Sequence, residues 1–108
     1  MSLEKLFTGS AMAKILDALW EHQDIDLTLT DIANEAEIHY TTLMKALPLL
    51  EELGMVTMTR QVVNAKLYQI NNDDNVVKML VKFLNELNIR ITEREVAKQE
   101  VIKKNQRI

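Results

Sequence analysis

The stretch Leu43-Met44-Lys45-Ala46-Leu47-Pro48-Leu49-Leu50-Glu51-Glu52-Leu53-Gly54-Met55-Val56-Thr57-Met58-Thr59-Arg60 (residues 43–60) changes its hydrophobic period in the middle. Before the glycine, Leu43, Ala46, Leu47, Leu50 and Leu53 return every three or four residues, as one face of an α-helix does. Gly54 stands where such a helix ends, because the residue past the last turn often takes left-handed backbone. From Met55 to Arg60 the period is two, with Val56 and Met58 on one side, which predicts a strand. Pro48 lies inside the helical part, where it removes a hydrogen bond to the Met44 carbonyl and is expected to kink the axis.

The strand has a partner. Lys66-Leu67-Tyr68-Gln69-Ile70 alternates again with Tyr68 and Ile70 on one side, so the two runs predict a β-hairpin. Its turn is expected at Asn64, which tolerates left-handed geometry. Upstream, residues 39–53 form the helix just described, and residues 31–36 a shorter one with Ile32, Ala33 and Ala36 apolar and Thr30 as its expected cap. Only Glu37-Ile38 separates the two. Leu27-Thr28-Leu29 reads as a short strand. Residues 10–22 read as a first helix capped by Ser10, with Met12, Ile15, Leu16 and Leu19 on one face, Trp20 beside them, and Lys14, Asp17 and Glu21 on the other side. Downstream, Asn71-Asn72-Asp73-Asp74 opens a long helical stretch in which Val77, Leu80, Leu84, Leu87 and Ile91 follow a 3,4,3,4 spacing. Thr92-Glu93-Arg94-Glu95 reads as a capping box, consistent with a new helix or with a continuous one crossing a polar patch. The basic end, residues 103–107, is expected to fray.

The 108 residues fit one folding unit, here divided into residues 1–72 and a helical segment 73–108, and 47% apolar composition is enough for a packed core. The chain has no cysteine, which excludes disulfides, thiolate metal sites and redox thiols. Its two histidines, His22 and His39, have no paired nucleophile, Glu21-His22 lacks metal-ligand spacing, and there is no glycine-rich phosphate loop. No enzyme activity, metal or cofactor is therefore expected. No apolar run approaches a membrane span, and Met1-Ser2-Leu3-Glu4-Lys5 lacks the pattern of a secretory signal, so a cytoplasmic protein without a membrane partner is expected.

The order helix, short strand, helix, tight turn, helix, hairpin, helix is that of winged helix-turn-helix domains, a mainly α architecture with a small β-hairpin (α+β). Several segments sharpen the likeness. Leu6-Phe7, Gly9-Ser10 and Lys14-Ile15-Leu16 resemble the opening of archaeal ArsR-like regulators. Asp31-Ile32-Ala33 to Ala36 looks like their second helix. Leu50-Glu51-Glu52-Leu53-Gly54-Met55-Val56 is similar to their junction into the wing, and Asn64-Ala65-Lys66-Leu67-Tyr68-Gln69-Ile70-Asn71 to the wing's return strand. The resemblance covers about residues 6–87. It departs at His39-Tyr40, where the family usually has Ser and often Arg, and at Val63, where it often has Gly; a valine there suggests a stiffer wing tip.

The resemblance implies a homodimer that binds double-stranded DNA and regulates transcription, with the third helix in the major groove and the wing on the flanking backbone or minor groove. The residues expected to touch DNA are His39, Tyr40, Thr41, Thr42, Met44 and Lys45 on the helix and Arg60, Asn64 and Lys66 on the wing. The seam of Val77, Leu80, Leu84, Leu87 and Ile91 is the expected dimer interface. If the same helix also covers its own domain, Val76, Leu80 and Phe83 are expected inward, with Leu84, Leu87 and Ile91 across the two-fold.

Charge opposes this reading. Residues 1–70 carry five basic and ten acidic side chains, net −5, while residues 71–108 carry eight and six, net +2. Lys45, Arg60 and Lys66 offer about three phosphate contacts per subunit, so modest affinity and marked salt sensitivity are expected. Glu35 and Glu37 lie near the expected DNA side and oppose binding. The alternatives are a winged helix used as a protein-interaction module in a larger assembly, which the acidity favours, and an architectural chromatin protein.

Overall fold

The computed structural model describes residues 3–106, with side chains through Ile102. The elements in order are α1 (Leu3–Leu6), α2 (Ala11–Glu21), β1 (Leu27–Thr28), α3 (Leu29–Ala36), α4 (Tyr40–Glu52), β2 (Val56–Val62), β3 (Ala65–Ile70) and α5 (Asn75–Gln106). The strands form one antiparallel sheet in the order β1-β3-β2. Residue pairs Leu27–Tyr68 and Val56–Ile70 set the register on the two sides of β3. The α+β winged helix-turn-helix architecture with a long C-terminal helix is thus the one observed.

Local chemistry accounts for the boundaries. The Ser10 hydroxyl accepts from the Ala13 amide at 3.2 Å and starts α2. The cap of α3 is Thr28, not the expected Thr30. The Thr28 hydroxyl accepts from the Asp31 amide at 3.1 Å and the Asp31 carboxylate accepts from the Thr28 amide at 3.3 Å. This reciprocal pair satisfies two otherwise orphaned amides, which Thr30, already the second residue of the helix, could not do. α3 ends with Glu37 in left-handed backbone (φ 56°, ψ 45°). Its amide donates to Asn34 and that of Ile38 to Ala33, closing the last turn. Gly54, at φ 76°, ends α4 as expected. Pro48 lies within α4 on its exposed side, between the buried Leu47 and Leu50.

The hairpin tip differs from expectation. Val62 pairs with Ala65 across a two-residue turn, and the residue at positive φ is Val63 (56°), not Asn64. Val63 is 87% exposed, so its side chain gains nothing from the core while bearing the strain of that backbone. Val56 is buried, but Met58 is exposed beyond the edge of the core.

α1 was not expected. It is a single turn whose first amides, of Leu3 and Glu4, donate to the two carboxylate oxygens of Asp17 at 3.2 and 3.0 Å. Burial pushes the Asp17 carboxyl above the usual range, and these two hydrogen bonds work against that shift.

The core is formed by Ile15 and Leu19 of α2, Ile32 of α3, Leu43 of α4, Val56 of β2, and Val77 and Leu84 of α5, all with almost no exposed surface. The expected dimer seam therefore divides. Val77 and Leu84 are inside the chain's own core and cannot face a second copy. Leu80 and Leu87 are half-buried against that core, as is Trp20. Val76 and Phe83, expected inward, are instead about half exposed, at 54% and 48%. The helix is rotated by about one residue from the orientation the spacing suggested. The core crosses the boundary placed at 72/73. α5 is continuous through Thr92-Glu93-Arg94-Glu95, and every side chain from 92 to 102 is exposed. The fraying expected at residues 103–107 falls where side chains are not described. Among the described residues, no helix is long and apolar enough to cross a membrane.

Candidate nucleic-acid interface

α4 buries Leu43, Leu47 and Leu50 and turns its opposite face outward. That face begins at His39, whose extended backbone precedes the helix and whose side chain makes no capping hydrogen bond. His39, Tyr40, Thr41, Met44 and Lys45 are exposed, while Thr42 is half-buried on the side of the turn. Five of the six helix residues named from sequence thus share one accessible surface.

The wing joins this surface through Tyr40. Tyr40 lines an open cleft of about 360 Å³ with Asn64, Ala65 and Lys66 of the hairpin and Thr28, Leu29 and Thr30 at the start of α3. The N-terminal ends of α3 and α4 and the wing tip therefore surround one concavity. Burial pushes the Tyr68 phenol above its usual range, with Glu51 and Tyr40 adding to the shift. Tyr68 is a packing residue of the sheet.

Arg60 does not stand free on the wing as expected. Its Nε donates to Oδ2 of Asp26 at 2.9 Å and its Nη2 to Oδ1 at 3.2 Å. The Thr59 hydroxyl donates to the same Oδ2 at 2.6 Å. Arg60, then Thr59, hold the Asp26 carboxyl below the usual carboxylate range. Asp26 was missed from sequence, where it is only the last acid of a polar break. Pairing it with Arg60 requires knowing that β3 lies between β1 and β2. Among the described residues, the exposed cations of the candidate face without an ion-pair partner are thus Lys45 and Lys66. Of the two acids expected to oppose binding, Glu35 lies 3.1 Å from His22 Nε2, and Glu37 is exposed in the turn before α4.

No protein-family model and no curated protein matches the chain by sequence. Solved structures do match. A possible transcriptional regulator from Methanosarcina mazei superposes with a TM-score of 0.57 at 12% identity, covering 82% of this chain and 78% of its own. Sso10a-2, a DNA-binding protein from Sulfolobus solfataricus, gives 0.56 at 15% identity, with 85% and 95% covered. MepR, a transcription regulator of the Staphylococcus aureus multidrug efflux pump MepA, gives 0.62 at 19% identity, with 86% and 70% covered. What this chain shares with these archaeal and bacterial proteins is the fold, a winged helix-turn-helix domain with a long C-terminal helix.

Proposed function

We propose that this protein is a sequence-specific, double-stranded DNA-binding transcriptional regulator of the ArsR-like kind, acting as a homodimer. The observation that carries the reading is the exposed face of His39, Tyr40, Thr41, Met44 and Lys45, which meets the wing at Tyr40, Asn64 and Lys66. An α-helix fits the major groove, and its first two turns carry side chains suited to base edges: Thr41 to a thymine methyl or an acceptor, Lys45 to guanine or phosphate. The wing tip then lies over the flanking backbone. The functions named for the solved relatives, transcription regulation and DNA binding, support the same reading.

A single such domain reads only a few base pairs, so two copies are needed. The second half of α5 supports pairing. It projects as an isolated helix with Val96, Val101 and Ile102 exposed, and helices of that length are marginal in water without a partner. In the dimer, the stripe Phe83, Leu87, Ala97 and Val101 replaces the part of the seam used by the core.

The test is fluorescence anisotropy with the chain's own upstream promoter and a scrambled duplex, at about 50 and 200 mM salt. Tighter binding to the promoter, lost in Lys45→Ala plus Lys66→Ala, is expected. Equal binding to both duplexes would indicate an architectural protein. No binding at low salt would favour a protein-interaction module, the reading that the neutralised Arg60 and the acidic domain support.

A further inference from the structure

The contact between Asp26 and Arg60 joins opposite edges of the sheet. Asp26 immediately precedes β1, Arg60 lies on β2, and β3 runs between them with Leu67 opposite Arg60. A β-bulge makes the reach possible. Met58 pairs with Tyr68 and Arg60 with Leu67, so Thr59 is the extra residue. Bulges re-aim side chains, and here Thr59 and Arg60, neighbours that would alternate in a regular strand, both donate to one carboxylate. Two parallel N–H donors on two oxygens is also how an arginine grips a phosphate. The Asp26 side chain is 18% exposed and that of Arg60 62%, so the arginine stands at the surface while its charge is cancelled by a more covered acid.

We propose that Asp26 is a built-in competitor of DNA for the wing: its carboxylate occupies the fork of Arg60 that a backbone phosphate would otherwise take. This rests on the DNA-binding reading and names how that surface is restrained. Exposed ion pairs add little to stability, whereas cancelling one of three cations removes a large part of the charge available to phosphates. Asp26 thus suppresses non-specific binding, and only a site that engages α4 well enough to bring a phosphate against the wing displaces it. The consequence for recognition is a larger ratio of specific to non-specific affinity, because the penalty falls on every encounter and is recovered only in the right register.

The test compares wild type, Asp26→Asn and Asp26→Asn plus Arg60→Ala by anisotropy on scrambled and promoter duplexes across a salt series. The asparagine keeps the side-chain shape and removes the charge. Freeing one cation per subunit is expected to tighten scrambled-duplex binding about tenfold at about 50 mM salt and to steepen the salt dependence by about 0.9 per subunit. Arg60→Ala in the double variant is expected to abolish that gain. Unchanged or weaker binding by Asp26→Asn, while wild type binds, overturns the proposal and makes Asp26 a residue that positions Arg60 for DNA. If neither protein binds either duplex, the DNA-binding reading fails and the competitor role fails with it. Circular dichroism checks the fold, and Asp26→Ala repeats the comparison if the amide disturbs the hairpin.

Discussion

Replacing Glu37 by glycine should stabilise the protein, by at most about 1 kcal/mol. Glu37 follows α3 with φ 56° and ψ 45°, and the amides of Glu37 and Ile38 bond back to Asn34 and Ala33. That arrangement requires left-handed backbone at this one position, where any residue with a Cβ is disfavoured by roughly 1–2 kcal/mol. Glycine avoids the clash but loses more freedom on folding, roughly 0.5–1 kcal/mol. The Glu37 side chain is exposed and no hydrogen bond by it is seen, so little else is lost. The difference leaves a gain of about 1 kcal/mol at most, or a rise in Tm of several degrees for a domain of this size. Urea and thermal denaturation by circular dichroism measure it. Glu37→Ala is the control, since it removes the same charge but keeps the Cβ. If alanine stabilises as much as glycine, the effect is electrostatic and the argument from backbone geometry fails.

Val63→Gly should likewise stabilise, by up to about 1 kcal/mol, because a β-branched residue at φ 56° is more strained than glutamate and this side chain is almost wholly exposed; amide exchange at Val62 and Ala65 reads the local effect, and faster exchange would count against it. Leu84→Ala should cost about 2–5 kcal/mol in urea denaturation, as expected for a residue 1% exposed. Phe83→Glu combined with Val101→Glu should instead leave the domain folded and give monomers by light scattering, and a persistent dimer would exclude that face. The two perturbed carboxyls act in opposite senses with pH. Asp26, lowered by Arg60 and Thr59, contributes stability present above the ordinary aspartate range and lost as pH falls through its lowered pKa. Asp17, raised by burial, favours the fold most at pH below that range, and the contribution is lost as pH rises through its raised pKa. Carboxyl chemical shifts followed by NMR should show Asp17 titrating above Asp26.

Hydrophobic period was enough to read every element but the single-turn α1, because burial of one face is what makes each of the others stable. Ser10, Gly54 and the alternation of Tyr68 and Ile70 reported their positions directly. What period could not report was phase relative to a partner. The spacing of Val77, Leu80, Leu84 and Leu87 suits either a second helix or the chain's own core, and α5 uses Val77 and Leu84 for the core. The choice between Thr28 and Thr30 was open to sequence, since Thr28 has Asp31 three residues on, but Thr30 immediately precedes the apolar pattern and drew the cap inward. Asp26 was illegible for a topological reason. Its partner lies 34 residues away and becomes a neighbour only when β3 inserts between β1 and β2 and Thr59 bulges. Five of the six helix residues of the candidate site emerged on one accessible face because they are the complement of the Leu43, Leu47 and Leu50 stripe. The partner of Arg60 could not be read from the wing itself, because an absence of acids along a hairpin says nothing about acids brought to it from elsewhere.

The acidity of the domain is less of an obstacle to DNA than its total suggests, because position decides what each charge does. Asp31 lies in the first turn of α3, where the helix dipole favours it, Asp17 meets the first amides of α1, and Glu35 lies beside His22. Glu51 and Glu52 lie at the far end of α4, about 15 Å along the helix from Thr41. That exceeds the Debye length of about 8 Å at physiological ionic strength, so a phosphate beside Thr41 is largely screened from them. At about 0.01 M salt the screening length grows to about 30 Å and both acids are felt. Repulsion from the far acids therefore grows as salt is removed, alongside attraction by Lys45 and Lys66. The salt dependence of DNA binding should consequently flatten at the low-salt end instead of remaining linear in the logarithm of salt concentration. Glu51→Gln plus Glu52→Gln should restore linearity there while leaving binding near physiological salt almost unchanged, and equal effects of the two substitutions at both ends would show that these acids lie closer to the bound phosphates than the helix geometry places them.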